Sequence, residues 1–334
     1  MEDYELTDDC KAVLMLSGRF GGDEAGGPKY LTLGEFNALS DWLAARNLRP
    51  ADLFTEECRS VLPEEEVGRL DGSRVVQLLD RGAALALLVE KWINKGLWIV
   101  CRDDPHYPRR LRQHLGNTAP PVLFGVGESA LLDQGGMAIL GSREVDVEAT
   151  EYAKEAGRFC AESGVAVISG GAKGVDQLAM RGALEAGGTA AGALADNLMR
   201  ASVSGEWRQA IRERRLTLIS PFNPESSFNV GNAMGRNKCI YALADWALIV
   251  SADYRKGGTW AGAEEELRRE KHIPVFARIE GDTPPGNREL LKIGARAFPK
   301  RPWKEPLQAL LADAARPRGP VGEQLSLFGD DEIK

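Results

Sequence analysis

An α/β fold, with a mostly parallel sheet covered by helices on both faces and a small helical domain ahead of it, is predicted by three observations. From residue 137, short apolar runs at 137–140, 165–168, 190–194, 216–219, 246–250 and 273–277 alternate with helical stretches, the rhythm of a parallel sheet wrapped by crossover helices. The second run, Val165-Ala166-Val167-Ile168, is apolar and largely β-branched, as a strand buried on both faces requires. Ser169-Gly170-Gly171 breaks it, and a helical pattern begins near Val175. Before residue 98 the apolar positions fall at helical spacing instead, as in Phe36, Leu39, Trp42 and Leu43, or Val75, Leu78 and Leu79.

Taken in order, residues 1–98 read as the helical domain. Leu33-Gly34-Glu35 and Asp71-Gly72-Ser73 are helix starts, and 18–27 is a glycine-rich loop. The aromatic and leucine stripes of this part are core. Small helical bundles commonly bind nucleic acids or partner proteins, but no residue here identifies one. Residues 99–135 read as a connecting segment and hinge, with a short strand at 97–101 and an extended stretch at 122–124 stiffened by Pro120-Pro121. Residues 136–300 form the α/β core. Beyond 300 the chain is rich in proline, alanine and charge; Pro317-Arg318-Gly319-Pro320 ends regular structure, and 301–334 reads as a largely disordered tail.

The 334 residues carry a net charge of −7, which argues against a broad basic field for coating duplex DNA and leaves room for a narrow basic groove. The first ten residues are acidic and polar, unlike a signal peptide, and no apolar run reaches membrane-spanning length. Five scattered cysteines show neither zinc spacing nor a disulfide framework, and the three histidines are far apart. A reducing, cytoplasmic location is expected, with no metal, no cofactor and no membrane partner.

In such a sheet, ligands bind beyond the carboxyl ends of the strands, so the residues after each strand matter most. They are Gly141-Ser142-Arg143, then Ser169-Gly170-Gly171-Ala172-Lys173, then Ala195-Asp196-Asn197. Ser220-Pro221-Phe222 leads on to Gly235-Arg236-Asn237-Lys238, and the last corner is Lys256-Gly257-Gly258-Thr259. Any one could be a tight βα turn that binds nothing. Together they bring arginine, lysine, hydroxyls and two glycine-rich helix starts to one sheet edge, which makes a phosphate site. Phe222, Phe228, Tyr241 and Trp260 are candidate partners for stacked bases, or core. No nucleophile–base pair is apparent, and no catalytic residue is assigned.

The motifs Gly141-Ser142-Arg143, 169–176 (Ser-Gly-Gly-Ala-Lys-Gly-Val-Asp) and Gly235-Arg236-Asn237-Lys238 resemble those of the DprA/Smf family of DNA-processing proteins. Tyr107-Pro108 and Pro120-Pro121-Val122-Leu123-Phe124 match that family's approach to its core. The resemblance covers about residues 100–280. It implies a Rossmann-like core that binds single-stranded DNA, acts as a homodimer and helps load a RecA-type recombinase. By this resemblance Arg143, Lys173, Arg236 and Lys238 pair with phosphates; Gly170, Gly171, Gly257 and Gly258 supply backbone donors; and Asn237 orients the loop or contacts a sugar or base. Departures mark a divergent member. Glu144-Val145-Asp146-Val147-Glu148 stands where the family has Thr-x-Tyr-Gly, and Lys238 replaces an arginine.

The same superfamily includes enzymes resembling the cytokinin-activating phosphoribohydrolases. An alternative reading is therefore a nucleotide or ADP-ribose sensor, or such a hydrolase, using the same pocket. Their Gly-Gly-x-Gly-Thr-x-x-Glu motif is half present: Gly257, Gly258 and Glu264 fit, but Trp260 and Ala261 replace Gly-Thr. Trp260 is expected to crowd the phosphate approach, and Glu264 to be a first-turn acid favoured by the helix dipole. In the tail, Gln324-Leu325-Ser326-Leu327-Phe328 resembles the peptide by which bacterial replication and repair proteins bind the sliding clamp. Leu325, Leu327 and Phe328 would fill an apolar pocket while Gln324 fixes register. A terminal element docked on the protein's own core is the other reading.

Overall fold

The computed structural model describes residues 6–18, 27–64, 67 and 70–315. Residues 19–26 of the loop expected at 18–27, and the clamp-like peptide at 324–328, lie outside the described residues. Helices α1 (Asp8–Ser17), α2 (Leu33–Ala45), α3 (Glu56–Val61), α4 (Gly72–Leu79) and α5 (Gly82–Ile93) precede the sheet. Two start where the sequence places them. Thr32 and Glu35 close a capping box on α2, and Asp71 accepts from the Ser73 N–H at 2.9 Å to cap α4.

The strands are β1 (Trp98–Cys101), β2 (Val122–Val126), β3 (Met137–Leu140), β4 (Val167–Ser169), β5 (Ala190–Ala193), β6 (Leu216–Ser220), β7 (Trp246–Ile249), β8 (Val275–Ala277) and β9 (Arg296–Ala297). Between and after them run α6 (Arg109–Leu115), α7 (Val147–Glu162), α8 (Val175–Glu185), α9 (Leu198–Ser202) and α10 (Gly205–Arg212). The last four are α11 (Val230–Leu243), α12 (Gly257–Leu267), α13 (Pro285–Lys292) and α14 (Leu307–Ala315). The sheet order is β1-β2-β6-β5-β4-β3-β7-β8-β9. β1 with β2 and β2 with β6 are antiparallel, and the remaining pairs are parallel. The Rossmann-like α/β class holds. From β3 the chain steps to β4, β5 and β6, then crosses to β7 on the far side of β3. That reversal opens a crevice at the carboxyl ends of β3 and β7.

Alternation along each central strand feeds two cores. Met137 and Ile139 point to one face, Ala138 and Leu140 to the other, and all four are buried. The first of these cores also contains Leu14, Leu39, Leu78 and Trp92 from the helical region. Trp92 meets Phe124 of β2 edge to face with ring centres 5.2 Å apart. Residues 99–135, expected as a connecting segment with a short strand and an extended stretch, join the sheet through β1 and β2, with α6 between them. The reason is visible in β2, whose five residues are all buried. The strand expected at 165–168 begins later, at Val167. Gly164 takes a left-handed φ of 69° and the Val165 N–H returns to the Cys160 carbonyl, so these residues finish α7.

One cysteine expectation is overturned: Cys10 of α1 and Cys101 of β1 form a disulfide, their Cα atoms 5.4 Å apart. They are 91 residues apart in sequence, so only the packing of α1 on β1 brings them together. Cys58, Cys160 and Cys239 are free and buried. Denatured without reductant, the protein is expected to titrate as these three thiols, and after reduction as the full five cysteines of the sequence. Five thiols before reduction would refute the pairing. Among the described residues no helix is long and apolar enough to cross a membrane.

The α7 and α8 helices touch backbone to backbone. A Cβ on Gly157 would overlap the Ala179 carbonyl, and one on Gly182 the Lys154 carbonyl. Both helices begin at corners of the crevice, so this spacing sets the distance between those corners.

Candidate nucleic-acid interface

The crevice is a cleft of about 510 Å³ lined from the ends of β3 and β7, the β4–α8 corner, and the first turns of α11 and α12. A larger hollow of about 650 Å³ lies along α10, but its lining comes from that helix and the residue after it. It is open surface.

Much of the cleft floor is held by its own side chains. Ser169 is fully buried and its hydroxyl donates to the Ile139 carbonyl at 2.6 Å, stitching β4 to β3. Ser142 donates its N–H to the Ser251 hydroxyl at 2.9 Å, which ties the β3 corner to that of β7. The Thr259 hydroxyl donates to the Gly141 carbonyl at 3.0 Å, and the Asn237 amide donates to the Gly258 carbonyl at 3.0 Å. These four bonds brace the corners; Ser142, Ser169 and Thr259 were read as ligand contacts, and Asn237 as orienting the loop or contacting a sugar or base. The Gly170 N–H donates to the Asp176 carboxylate at 3.1 Å.

Arg236 lies on the floor, 5 % exposed, with Nη1 3.9 Å from Asp176 Oδ2. Burial pushes the Asp176 carboxyl up to about 6, against the opposing pull of Arg236, and pushes the Arg236 guanidinium down. Arg236 thus faces an internal acid where the resemblance implied a phosphate contact. Gly170 must be glycine here, since a Cβ would overlap the Arg236 guanidinium.

The rim is different. Arg143 is exposed and its guanidinium lies 4.3 Å from the centre of the Phe228 ring, itself 43 % exposed. Lys173 is exposed on the β4–α8 corner, beside Gly171 and Gly174, which both take positive φ. Lys256 is exposed immediately before α12, and Gly257 follows with φ of 72°. Asp146 caps α7 and Asn229 caps α11, whereas no side chain caps α12. Its first residues, Gly257, Gly258 and Thr259, line the cleft.

Several expectations change. Lys238 lies outside the cleft lining and pairs with Glu265 at 3.1 Å, because the helical turn that buries Arg236 and Asn237 rotates it toward α12. Trp260 does not crowd a phosphate: it is buried beneath α12 and packs edge to face on Tyr254 at 5.0 Å. Glu264 sits two turns into α12, where it accepts from the Trp260 indole N–H at 3.2 Å and pairs with Arg268. Tyr241 is buried and Phe222 half-buried, leaving Phe228 as the candidate aromatic most open to solvent. Lys256 was named only as part of the last corner and Asp176 only as the end of the 169–176 motif; neither was assigned a contact. A lysine directly before a Gly-Gly helix start, and an acid in the first turn after a glycine corner, are the signals that pointed to them.

The chain matches the family model for DNA recombination-mediator protein A over residues 98–304. Its structure is similar to DNA processing protein A (DprA) from Streptococcus pneumoniae, with a TM-score of 0.65 and 19 % identity over 87 % of this chain and 94 % of that one. It is also similar to DNA processing protein A from Helicobacter pylori, with a TM-score of 0.50 and 25 % identity over 60 % of this chain and 90 % of that one. No curated protein matches the chain. The family match spans the strands, both glycine corners and the cleft between them, and the chain belongs to the DNA recombination-mediator protein A family.

Proposed function

We propose that this protein is a non-catalytic DNA-processing accessory that holds single-stranded DNA along the rim of the cleft. The observation that carries the reading is the Arg143 guanidinium resting on the half-exposed Phe228 ring at the cleft mouth. One pair offers both a charge for a phosphate and a platform for a base, the combination that single strands require and duplexes cannot use. Lys173, Lys256 and the uncapped start of α12 extend the cationic edge. The Helicobacter pylori relative is known for its single-stranded DNA binding mode, which supports the same ligand here. No histidine lines the cleft, and the Ser251 and Thr259 hydroxyls are already engaged with Ser142 and Gly141, which favours binding over hydrolysis.

Fluorescence anisotropy with labelled thymidine oligonucleotides tests the reading. Affinity should fall with salt at a log–log slope of about −0.7 for each phosphate contacted, and duplex should bind more weakly than single strand. Saturable binding of AMP or NAD without any oligonucleotide binding would replace it with the nucleotide-sensor reading. Action as a homodimer and delivery of the strand to a RecA-type recombinase complete the proposal. So does tethering to the sliding clamp through Gln324-Leu325-Ser326-Leu327-Phe328. Removal of residues 324–334 is expected to abolish binding to purified clamp while leaving oligonucleotide affinity unchanged; clamp binding that survives the deletion refutes the tether.

A further inference from the structure

Two buried charges on the cleft floor have no role in the rim. Asp176, in the first turn of α8, accepts the Gly170 N–H at 3.1 Å, and the backbone of Gly141 and Ala172 also favours its charged form. Backbone amides at the ends of two adjacent strands and in the turn ahead of a helix are a usual seat of a phosphate. Here the protein's own carboxylate is in that seat. Arg236 lies beside it, nine-tenths buried, with no hydrogen-bond partner for its Nε among the described residues. Both residues line the cleft, and the missing Cβ of Gly170 gives them room to approach.

We propose that Asp176 is the specificity-determining residue of this cleft: an internal anion that fills the amide nest and so excludes terminal phosphates and mononucleotides. Only phosphodiesters then engage the protein, outside the nest, at Arg143, Lys173 and Lys256. The inference rests on the single-stranded DNA reading for what the rim binds, but the blocked nest is a separate claim. A doubly charged phosphate entering it would meet a carboxylate in a poorly solvated setting, where like charges repel strongly. A phosphodiester held at the rim keeps clear of that charge. Removing Asp176 leaves the amides open and Arg236 without its counter-charge, which is the composition of an anion site.

Inorganic phosphate and AMP titrated calorimetrically against the full-length protein test this. The natural sequence should show no saturable binding. Asp176→Ser should gain phosphate affinity by at least about tenfold, the low end for charge-assisted hydrogen bonds, and Asp176→Ser with Arg236→Met should lose the gain. If the serine variant does not melt cooperatively, the natural protein still decides. Thymidine oligonucleotides with and without a 5′-terminal phosphate should bind it equally, and free phosphate should not compete. Saturable phosphate or AMP binding by the natural protein overturns the assignment. So does a clear preference for the phosphorylated end, or a folded serine variant that gains nothing. Failure to bind any oligonucleotide sinks the DNA reading instead, and the phosphate titrations then judge Asp176 alone.

Discussion

Replacing Arg143 and Lys173 together by alanine should weaken binding of a thymidine oligonucleotide by about two orders of magnitude, the loss expected for two charge-assisted phosphate contacts. Both side chains are exposed, Arg143 in the cleft lining and Lys173 next to Ala172, which lines it, and neither has an ion-pair partner among the described residues, so the fold should tolerate the change. The salt dependence should fall with it, the log–log slope losing about 1.4 if each residue neutralises one phosphate of a single strand. Unchanged melting together with near-native affinity would move the DNA to another surface. The paired change is more informative than Arg236→Ala. Arg236 is a buried partner of Asp176, and its loss would mix weakened binding with a damaged floor.

Gly182→Val is expected to cost about 3 kcal/mol or more of stability, at or above the upper end of ordinary overpacking. The added side chain has no rotamer that avoids the Lys154 carbonyl, because the clash begins at Cβ. Relief requires α7 and α8 to separate as rigid bodies, against the buried Ala153, Ala156, Ala179 and Ala183 that pack around the contact. Denaturant melts monitored by circular dichroism give the number. Gly34→Ala on α2, where a Cβ meets nothing within 4 Å, is the control and should be neutral or slightly stabilising. A Gly182→Val midpoint equal to that of the control would show that the two helices are not in backbone contact. Since α7 and α8 also start the Arg143 and Lys173 corners, the folded fraction of the variant should bind DNA less tightly as well.

The central strands were legible because their burial on both faces leaves continuous apolar runs, a pattern that survives without knowledge of neighbours. Five of the six expected strands start or end where the structure has them. The strand at 97–101 and the extended stretch at 122–124 were legible too, but not their place at the sheet edge. β2 pairs antiparallel with β6, about 90 residues further on, a relation that no local period encodes. The site divides in the same way. Glycine corners and rim cations could be read from position alone. The fate of Arg236 depended on which face of α11 meets the sheet, and its spacing with Asn232, Asn237 and Ile240, all buried, carried that information in a form easily taken for a phosphate motif. Trp260 shows the opposite error: its bulk suggested an obstruction, but the helix turns it into the core.

The antiparallel edge has a consequence for how the molecule may be shortened. β1 covers the outer side of β2, residue against residue from Trp98↔Gly125 to Cys101↔Val122. Cutting away the amino-terminal third through residue 101 would uncover a ladder of unsatisfied amides and carbonyls, together with the Phe124 surface that Trp92 shields. A bare strand of that kind recruits others. The helical region is therefore not an appendage to be clipped off, and a trimmed version of the α/β layer alone should aggregate through its open edge.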